Sequence, residues 1–88
     1  MGEAYIEMFT SVGCATCPVV KKMLKEIAEE LGGDITIEEV DIGEDPSRAA
    51  EYGIMSVPSV VINGIPKFIG VVPDREELKR AILEAMEE

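Results

Sequence analysis

The chain has two cysteines, Cys14 and Cys17, and they are separated by two residues. They lie between a short apolar run and a long amphipathic segment that is typical of a helix. A thiol at a helix N-terminus is close to unpaired backbone N–H groups and to the positive end of the helix dipole, and both favour the thiolate. A second thiol one turn further on can form a disulfide with the first. The pair therefore predicts dithiol–disulfide exchange.

The two thiols are expected to have different roles. Cys14 precedes the helix in a loop, so its thiolate is expected to attack a substrate disulfide and form a mixed disulfide. Cys17 lies in the first helical turn and is expected to be shielded, and it would then attack Cys14 and release the reduced substrate. Two alternatives are a pair of buried small side chains and half of a zinc site. Zinc needs about four ligands, and the chain has no His and no further Cys, so a metal would have to bridge two chains and none is expected.

Length, composition and charge narrow the class of protein. Eighty-eight residues are expected to form one domain, 1–88, and a hydrophobic content of 47% predicts a globular fold. The net charge of −10 disfavours nucleic acid and anionic membrane surfaces as partners. No apolar run approaches the roughly 18 residues of a membrane span.

Cysteine usage and the first residues predict a cellular location. The segment from Met1 to Tyr5 lacks the basic stretch and long apolar run of a secretory signal. We therefore expect a cytoplasmic protein, and in that compartment a single cysteine pair is more often catalytic than structural. The absence of Gln, a single Asn and a charged content of 30% resemble the composition of heat-adapted proteins.

Hydrophobic periodicity and breaker residues predict seven elements. Strands are expected at 4–9, 35–42, 59–62 and 67–70, and helices at 18–31, from Pro46 to about Tyr52, and from Asp74 onward. Asp45 and Asp74 are expected to cap the second and third helices. The buried faces of the long helices are predicted to consist of Val20, Met23, Leu24, Ile27 and Leu31 in the first and Leu78, Ala81, Ile82, Ala85 and Met86 in the last.

The order of these elements predicts an α/β fold. A strand–helix–strand unit can form a right-handed parallel crossover in the first half of the chain. In the second half, Asn63-Gly64 is a strong two-residue hairpin signal, so the last two strands are expected to be antiparallel. Four strands with helices on both faces would then enclose one core.

The order β-α-β-α-β-β-α, with the cysteine pair after the first strand and Val57-Pro58 before the third, resembles the thioredoxin/glutaredoxin superfamily. It is most similar to the small, glutaredoxin-sized thioredoxins of archaea, over nearly the whole chain. The resemblance implies a mixed sheet of strand order 2-1-3-4 and a cis Val57–Pro58 bond beside the dithiol. It also implies a cytoplasmic, monomeric reductase of protein disulfides with no cofactor, recycled by a thioredoxin-reductase-type electron donor.

The chain departs from both branches of the superfamily. Gly13 stands where thioredoxins carry Trp, Ala15-Thr16 replaces Gly-Pro, and Met8 occupies the position of a buried carboxylate. Most of the glutathione-holding pattern of glutaredoxins is also absent. The first alternative to a thioredoxin-type reductase is a glutathione-dependent glutaredoxin. The second is a non-catalytic thiol- or metal-binding module.

Further residues are expected to surround the dithiol and contact substrate. They are Gly13, Ala15, Thr16, Val57, Pro58 and Gly70. A cis bond at Pro58 would leave the Val57 backbone free to pair with an extended substrate segment. Gly70 would either permit close approach of a substrate backbone or simply end the edge strand. Lys21 would either support a thiolate or offset nearby acids, and Tyr5 and Tyr52 are interpreted as packing residues.

Overall fold

The computed structural model describes residues 2–87, and in that range the predicted order of strands and helices is confirmed. The elements are β1 (Ala4–Thr10), α1 (Cys17–Leu31), β2 (Ile35–Asp41), α2 (Pro46–Glu51), β3 (Ser59–Ile62), β4 (Ile65–Ile69) and α3 (Arg75–Met86). No helix among these residues combines the length and the apolar character needed to cross a bilayer.

The four strands form one mixed sheet of order β2-β1-β3-β4, as the resemblance implied. β1 pairs parallel to β2 and antiparallel to β3, and β3 pairs antiparallel to β4. The C-terminal ends of β1 and β4 and the N-terminal end of β3 therefore meet at one end of the sheet. The cysteine motif follows β1 at this end.

The helices cover both faces of the sheet, and alternation along β1 divides the core between them. Ile6 and Met8 pack with α1 and α3, whereas Phe9 packs with α2. The predicted helix faces are confirmed: Val20, Leu24, Ile27, Leu78, Ile82 and Ala85 are buried, and Met23, Leu31, Ala81 and Met86 are partly buried against them.

The β3–β4 hairpin has the predicted two-residue turn, but its second strand begins earlier than expected. Asn63 and Gly64 have φ values of 49° and 80°, which fits the type I′ turn their sequence predicted. Ile65 pairs directly with Ile62, so β4 begins at Ile65 and the predicted start at Lys67 is wrong. Pro66 lies inside the strand, which is tolerated because β4 is at the sheet edge and the register shifts between Val60 and Val61.

The predicted helix caps are confirmed. The Asp45 carboxylate accepts the Arg48 N–H at 3.3 Å, and the Asp74 carboxylate accepts the N–H groups of Glu76 and Glu77 at 3.2 and 3.4 Å. These bonds satisfy donors that a helix start leaves unpaired. The two caps fix the first residues of α2 and α3. These helices precede and follow the segment of the chain that contains Pro58 and Gly70.

Candidate active site

Cys14 and Cys17 are joined by a disulfide, with their Cα atoms 5.5 Å apart. Cys14 lies in the loop after β1 and is partly exposed, whereas Cys17 is the first residue of α1 and only 3% exposed. The expected order of exposure is therefore confirmed. The two sulfur atoms are within bonding reach, and one of them is open to a reaction partner.

Backbone hydrogen bonds fold the loop into the helix start. The Cys14 N–H donates to the Ser11 carbonyl at 3.2 Å, and the N–H groups of Val19 and Val20 donate to the Thr16 carbonyl at 3.1 and 3.3 Å. Thr16 occupies the N-cap position without capping the helix through its side chain, and its hydroxyl oxygen is 3.9 Å from the Cys14 sulfur. The Thr16 side chain therefore faces the disulfide.

Small, exposed residues surround the disulfide in the loop. Gly13, Ala15 and Thr16 are all exposed, so solvent reaches the chain on both sides of Cys14. Val12, one residue before Gly13, is 93% exposed. A partner could therefore approach Cys14 across an apolar and sterically open surface.

The Val57–Pro58 bond is cis, as the resemblance implied. Pro58 is buried, Val57 is partly buried, and Met55 just before them is 91% exposed. Ser59 pairs with Phe9 in the β1–β3 ladder, so Pro58 lies just beyond that pair. Residues 52–58, between α2 and β3, are called the Val57–Pro58 loop, and residues 11–16, between β1 and α1, are the dithiol loop. Both loops therefore lie at the same end of the sheet.

Gly70 has a structural reason to be glycine. Its φ is +67°, and an added Cβ would clash with the Ser56 hydroxyl and lie 3.1 Å from the Ser56 Cβ. The close neighbour is thus another loop of the same chain. Gly70 directly follows β4, so it does end the edge strand, and both its positive φ and its close approach to Ser56 favour glycine there.

Lys21 contacts an acid on the neighbouring strand. Its ammonium group is 3.3 Å from the Glu39 carboxylate, and both side chains are 44% exposed. This contact supports the interpretation of Lys21 as a surface lysine that offsets an acid. An exposed pair of this kind contributes little stability.

A polar network between β1, β2 and α2 was missed by sequence reasoning. Glu7 is 4% exposed, and its carboxylate accepts bonds from Arg48 at 2.5 Å and from the Tyr52 hydroxyl at 2.7 Å. Arg48 also donates to both oxygens of Glu38, at 2.8 and 3.0 Å, and Tyr5 donates to Glu38. The signal was an acid in the middle of an apolar strand, which cannot be buried without a partner. Tyr52 packs against Phe9 as expected and also donates a hydrogen bond, whereas Tyr5 is 39% exposed and its hydroxyl donates to Glu38.

The network shifts the pKa values of Glu38, Tyr5 and Tyr52. The Arg48 hydrogen bonds, followed by that from Tyr5, lower the pKa of Glu38 from 4.5 to about 2. The hydrogen bond to Glu7 raises the pKa of Tyr52, and the hydrogen bond to Glu38 raises the pKa of Tyr5. The charged form of the Glu38 carboxylate is thus favoured, and so are the neutral phenols of Tyr5 and Tyr52.

The network and the dithiol helix lie on opposite faces of the sheet. Glu7 meets α2 residues, whereas its neighbour Met8 is buried in the apolar cluster with α1 and α3. Met8, at the position where thioredoxins carry a carboxylate, therefore brings no acid to the α1 face. Within residues 2–87, no group of three or more Cys, Asp or Glu side chains is placed to hold a metal ion.

Comparisons with known proteins identify relatives across most of the chain. The thioredoxin domain family matches residues 5–83. The "Thioredoxin" of Methanocaldococcus jannaschii is 44% identical over 82 residues, covering 93% of this chain and 95% of that protein. The "Probable Thioredoxin" of Methanothermobacter thermautotrophicus is 45% identical with the same coverage. These methanogen relatives fit the heat-adapted composition.

A solved structure shows the same fold at low sequence identity. A mutant thioredoxin from Halobacterium salinarum NRC-1 superposes with a TM-score of 0.81 at 22% identity. The alignment covers 99% of this chain and 78% of the other. The architecture described above is therefore shared with that protein.

Proposed function

The chain belongs to the thioredoxin domain family and is a thiol–disulfide oxidoreductase, and from that premise we propose that Cys14 is its nucleophile and Cys17 its resolving thiol. The observation that carries the proposal is the difference in exposure within one bonded pair. Cys14 is partly exposed in the loop, and Cys17 is buried at the start of α1. A partner disulfide can reach the first sulfur and not the second.

The proposed reaction is a two-step exchange. In the reduced protein, the Cys14 thiolate attacks one sulfur of a substrate disulfide, the substrate S–S bond breaks, and the first substrate thiolate leaves. Cys17 loses its proton and attacks the Cys14 sulfur, which releases the second substrate thiolate and forms the intramolecular disulfide. The substrate thiolates take up protons, and the substrate gains the two electrons that the dithiol loses. The bonded pair in the structure corresponds to the oxidised product.

We propose that extended segments of protein substrates dock against the loops beside Cys14. The Val57 backbone precedes a strand and is available to pair with such a segment as an added strand. Gly13, Ala15 and Thr16 offer little steric hindrance on the other side. Val12 and Met55 are more than nine-tenths exposed and would supply apolar contact at the rim.

We propose that a reductase of the thioredoxin-reductase type returns two electrons to the Cys14–Cys17 disulfide. The thioredoxin relatives support this donor over glutathione. Insulin-disulfide reduction driven by a thioredoxin reductase should therefore exceed the same reaction driven by glutathione. Efficient reduction of a glutathione mixed disulfide would support the glutaredoxin alternative.

The remaining expectations are also proposals. Both cysteines belong to the exchange motif, which supports a cytoplasmic location, where structural disulfides are rare. The dithiol and the loops around it come from one chain, which supports action as a monomer. The two core clusters share one sheet, and the family match spans most of the chain, which supports a single domain over 1–88.

Trapping the intermediate tests the assigned roles. Cys17→Ser should leave Cys14 able to attack and unable to be released, so mixed disulfides with substrate proteins should accumulate. Cys14→Ser is the matched control and should form no adducts under the same conditions. Adducts on Cys17 in the control, or none in the Cys17→Ser variant, would contradict the proposal.

A further inference from the structure

Ser59 is a buried polar residue between two segments that the sequence analysis expected to contact substrate, the one that contains Val57 and Pro58 and the one that begins at Gly70. It directly follows Pro58 and is 0% exposed, in a strand whose other residues are apolar. A buried hydroxyl is costly unless both its donor and its acceptor capacity are used. The partners of this hydroxyl therefore indicate why a polar residue is there.

The Ser59 hydroxyl connects the segment before β3 to the segment after β4. It donates to the Ser56 carbonyl at 2.8 Å and accepts the Gly70 N–H at 3.0 Å. The β3–β4 register ends with Ser59 opposite Ile69, so Gly70 lies beyond the last paired residue. The serine side chain supplies the partner that the ladder no longer provides.

The same two segments are also in direct contact. Gly70 approaches Ser56 so closely that a Cβ on Gly70 would clash with the Ser56 hydroxyl. The Ser59 hydroxyl therefore adds two hydrogen bonds between segments that already lie side by side. Removing it would leave the Gly70 N–H and the Ser56 carbonyl without these bonds while the van der Waals contact remained.

We propose that Ser59 is a positioning residue that holds the Val57–Pro58 loop and Gly70 at a fixed separation and so tunes recognition of protein substrates. The inference rests on the proposed docking of extended segments at the Val57 backbone. On this proposal, a protein segment that pairs with the Val57 backbone also passes Gly70, so its binding depends on the spacing of the two segments. A small disulfide needs only to reach Cys14, so its reduction should not depend on that spacing.

Two substitutions at Ser59 separate positioning from simple filling of the core. Ser59→Ala removes the hydroxyl and should accelerate hydrogen exchange of the Gly70 amide by about tenfold, the scale of one lost hydrogen bond. It should lower kcat/KM for insulin by about tenfold through KM. Reduction of 2-hydroxyethyl disulfide should stay within about twofold. Ser59→Thr keeps the hydroxyl and should restore both the exchange rate and the insulin KM.

The control is Ser47→Ala, which removes a hydroxyl on α2 that donates to the Asp45 carboxylate, and it should change neither readout. Equal losses on insulin and on the small disulfide, or an unchanged Gly70 exchange rate in Ser59→Ala, would overturn the inference. A thermal unfolding curve for each variant sets an assay temperature at which all are folded. The Cys14→Ser variant separates the two proposals: if it still reduced insulin, the proposed roles would fail whatever Ser59 did.

Discussion

The dithiol end of the sheet and the network of Glu7, Arg48 and Tyr52 both include residues next to or in the central strand β1. The polar groups of the network are buried or partly buried and hydrogen-bonded, whereas those at the dithiol end are exposed or partly exposed. In the network, each oxygen of the buried Glu7 carboxylate accepts a hydrogen bond, from Arg48 at 2.5 Å and from Tyr52 at 2.7 Å. At the dithiol end, Cys14 is partly exposed and Thr16 leaves its helix without a side-chain cap. Two residues separate Glu7 from Thr10, where β1 ends.

The difference indicates a division between stability and reactivity. Removing one partner of a buried, hydrogen-bonded ion pair strongly destabilises the folded protein. A partly exposed thiol at a helix start contributes little packing and is available to react. Substitutions in one region should therefore change activity with little effect on stability, and substitutions in the other should do the reverse.

The largest expected effect is the loss of exchange activity in Cys14→Ser. Reduction of insulin should fall by at least about a thousandfold, because no other exposed thiol replaces the nucleophile. The free energy of unfolding, compared with that of the reduced wild-type protein, should change by less than about 0.5 kcal/mol. A large loss of stability in Cys14→Ser would contradict the claim that the dithiol end contributes reactivity and little stability.

The next effect is on stability, in Arg48→Met. The substitution leaves the buried Glu7 carboxyl group without the Arg48 cation, so the free energy of unfolding should fall by about 3 kcal/mol. The matched control is Arg75→Met, since Arg75 pairs with Glu26 and Glu30 at exposed positions. That variant should lose about 1 kcal/mol or less.

Urea unfolding of the oxidised proteins measures both losses, and insulin reduction should stay within about twofold of wild type for each folded variant. Equal stability losses in the two arginine variants would show that burial of Glu7 does not distinguish the network. A large loss of turnover in folded Arg48→Met would show that the two regions are coupled.

A smaller effect should appear at acid pH. Because the pKa of Glu38 is lowered from 4.5 to about 2 in the folded protein, its contribution to stability is complete above about 4.5 and is lost as the pH falls toward 2. The melting temperature of the wild-type protein should therefore decrease across that window. Glu38 is 43% exposed, so solvent weakens its pairing and the decrease should be modest.

Glu38→Gln provides the comparison for the acid titration, since it keeps the shape and removes the ionisable group. Its melting temperature should decrease less than that of wild type between pH 4.5 and 2. Parallel curves for the two proteins would show that Glu38 does not contribute to the acid dependence.

The fold was predictable because local signals and topology agreed. Hydrophobic periodicity located the helices, and the Asn63-Gly64 turn set the hairpin geometry, which together left few ways to arrange four strands. The expected start of β4 at Lys67 is wrong because Ile65 and Pro66 belong to the strand. At a sheet edge the missing N–H can face solvent, so Pro66 is accommodated within the strand.

The site was predictable from the sequence only where its residues are close together in the chain. Cys14 and Cys17 are recognisable by their spacing and by their position before a helix. The roles of Ser59 and Gly70 depend on a contact between segments 11 residues apart in the chain. Glu7 and Arg48 are 41 residues apart, and their pairing depends on which face of β1 meets α2. A single sequence does not specify such contacts until the strand register is known.

Alkylation of the reduced protein tests the central claim most directly. The rate of iodoacetamide modification at each cysteine is measured against pH by mass spectrometry of the digested protein. Cys14 should react at least about tenfold faster than Cys17, with a rate midpoint below about 8.5, the value for a free thiol. Equal and slow modification of both thiols, or faster modification of Cys17, would contradict it.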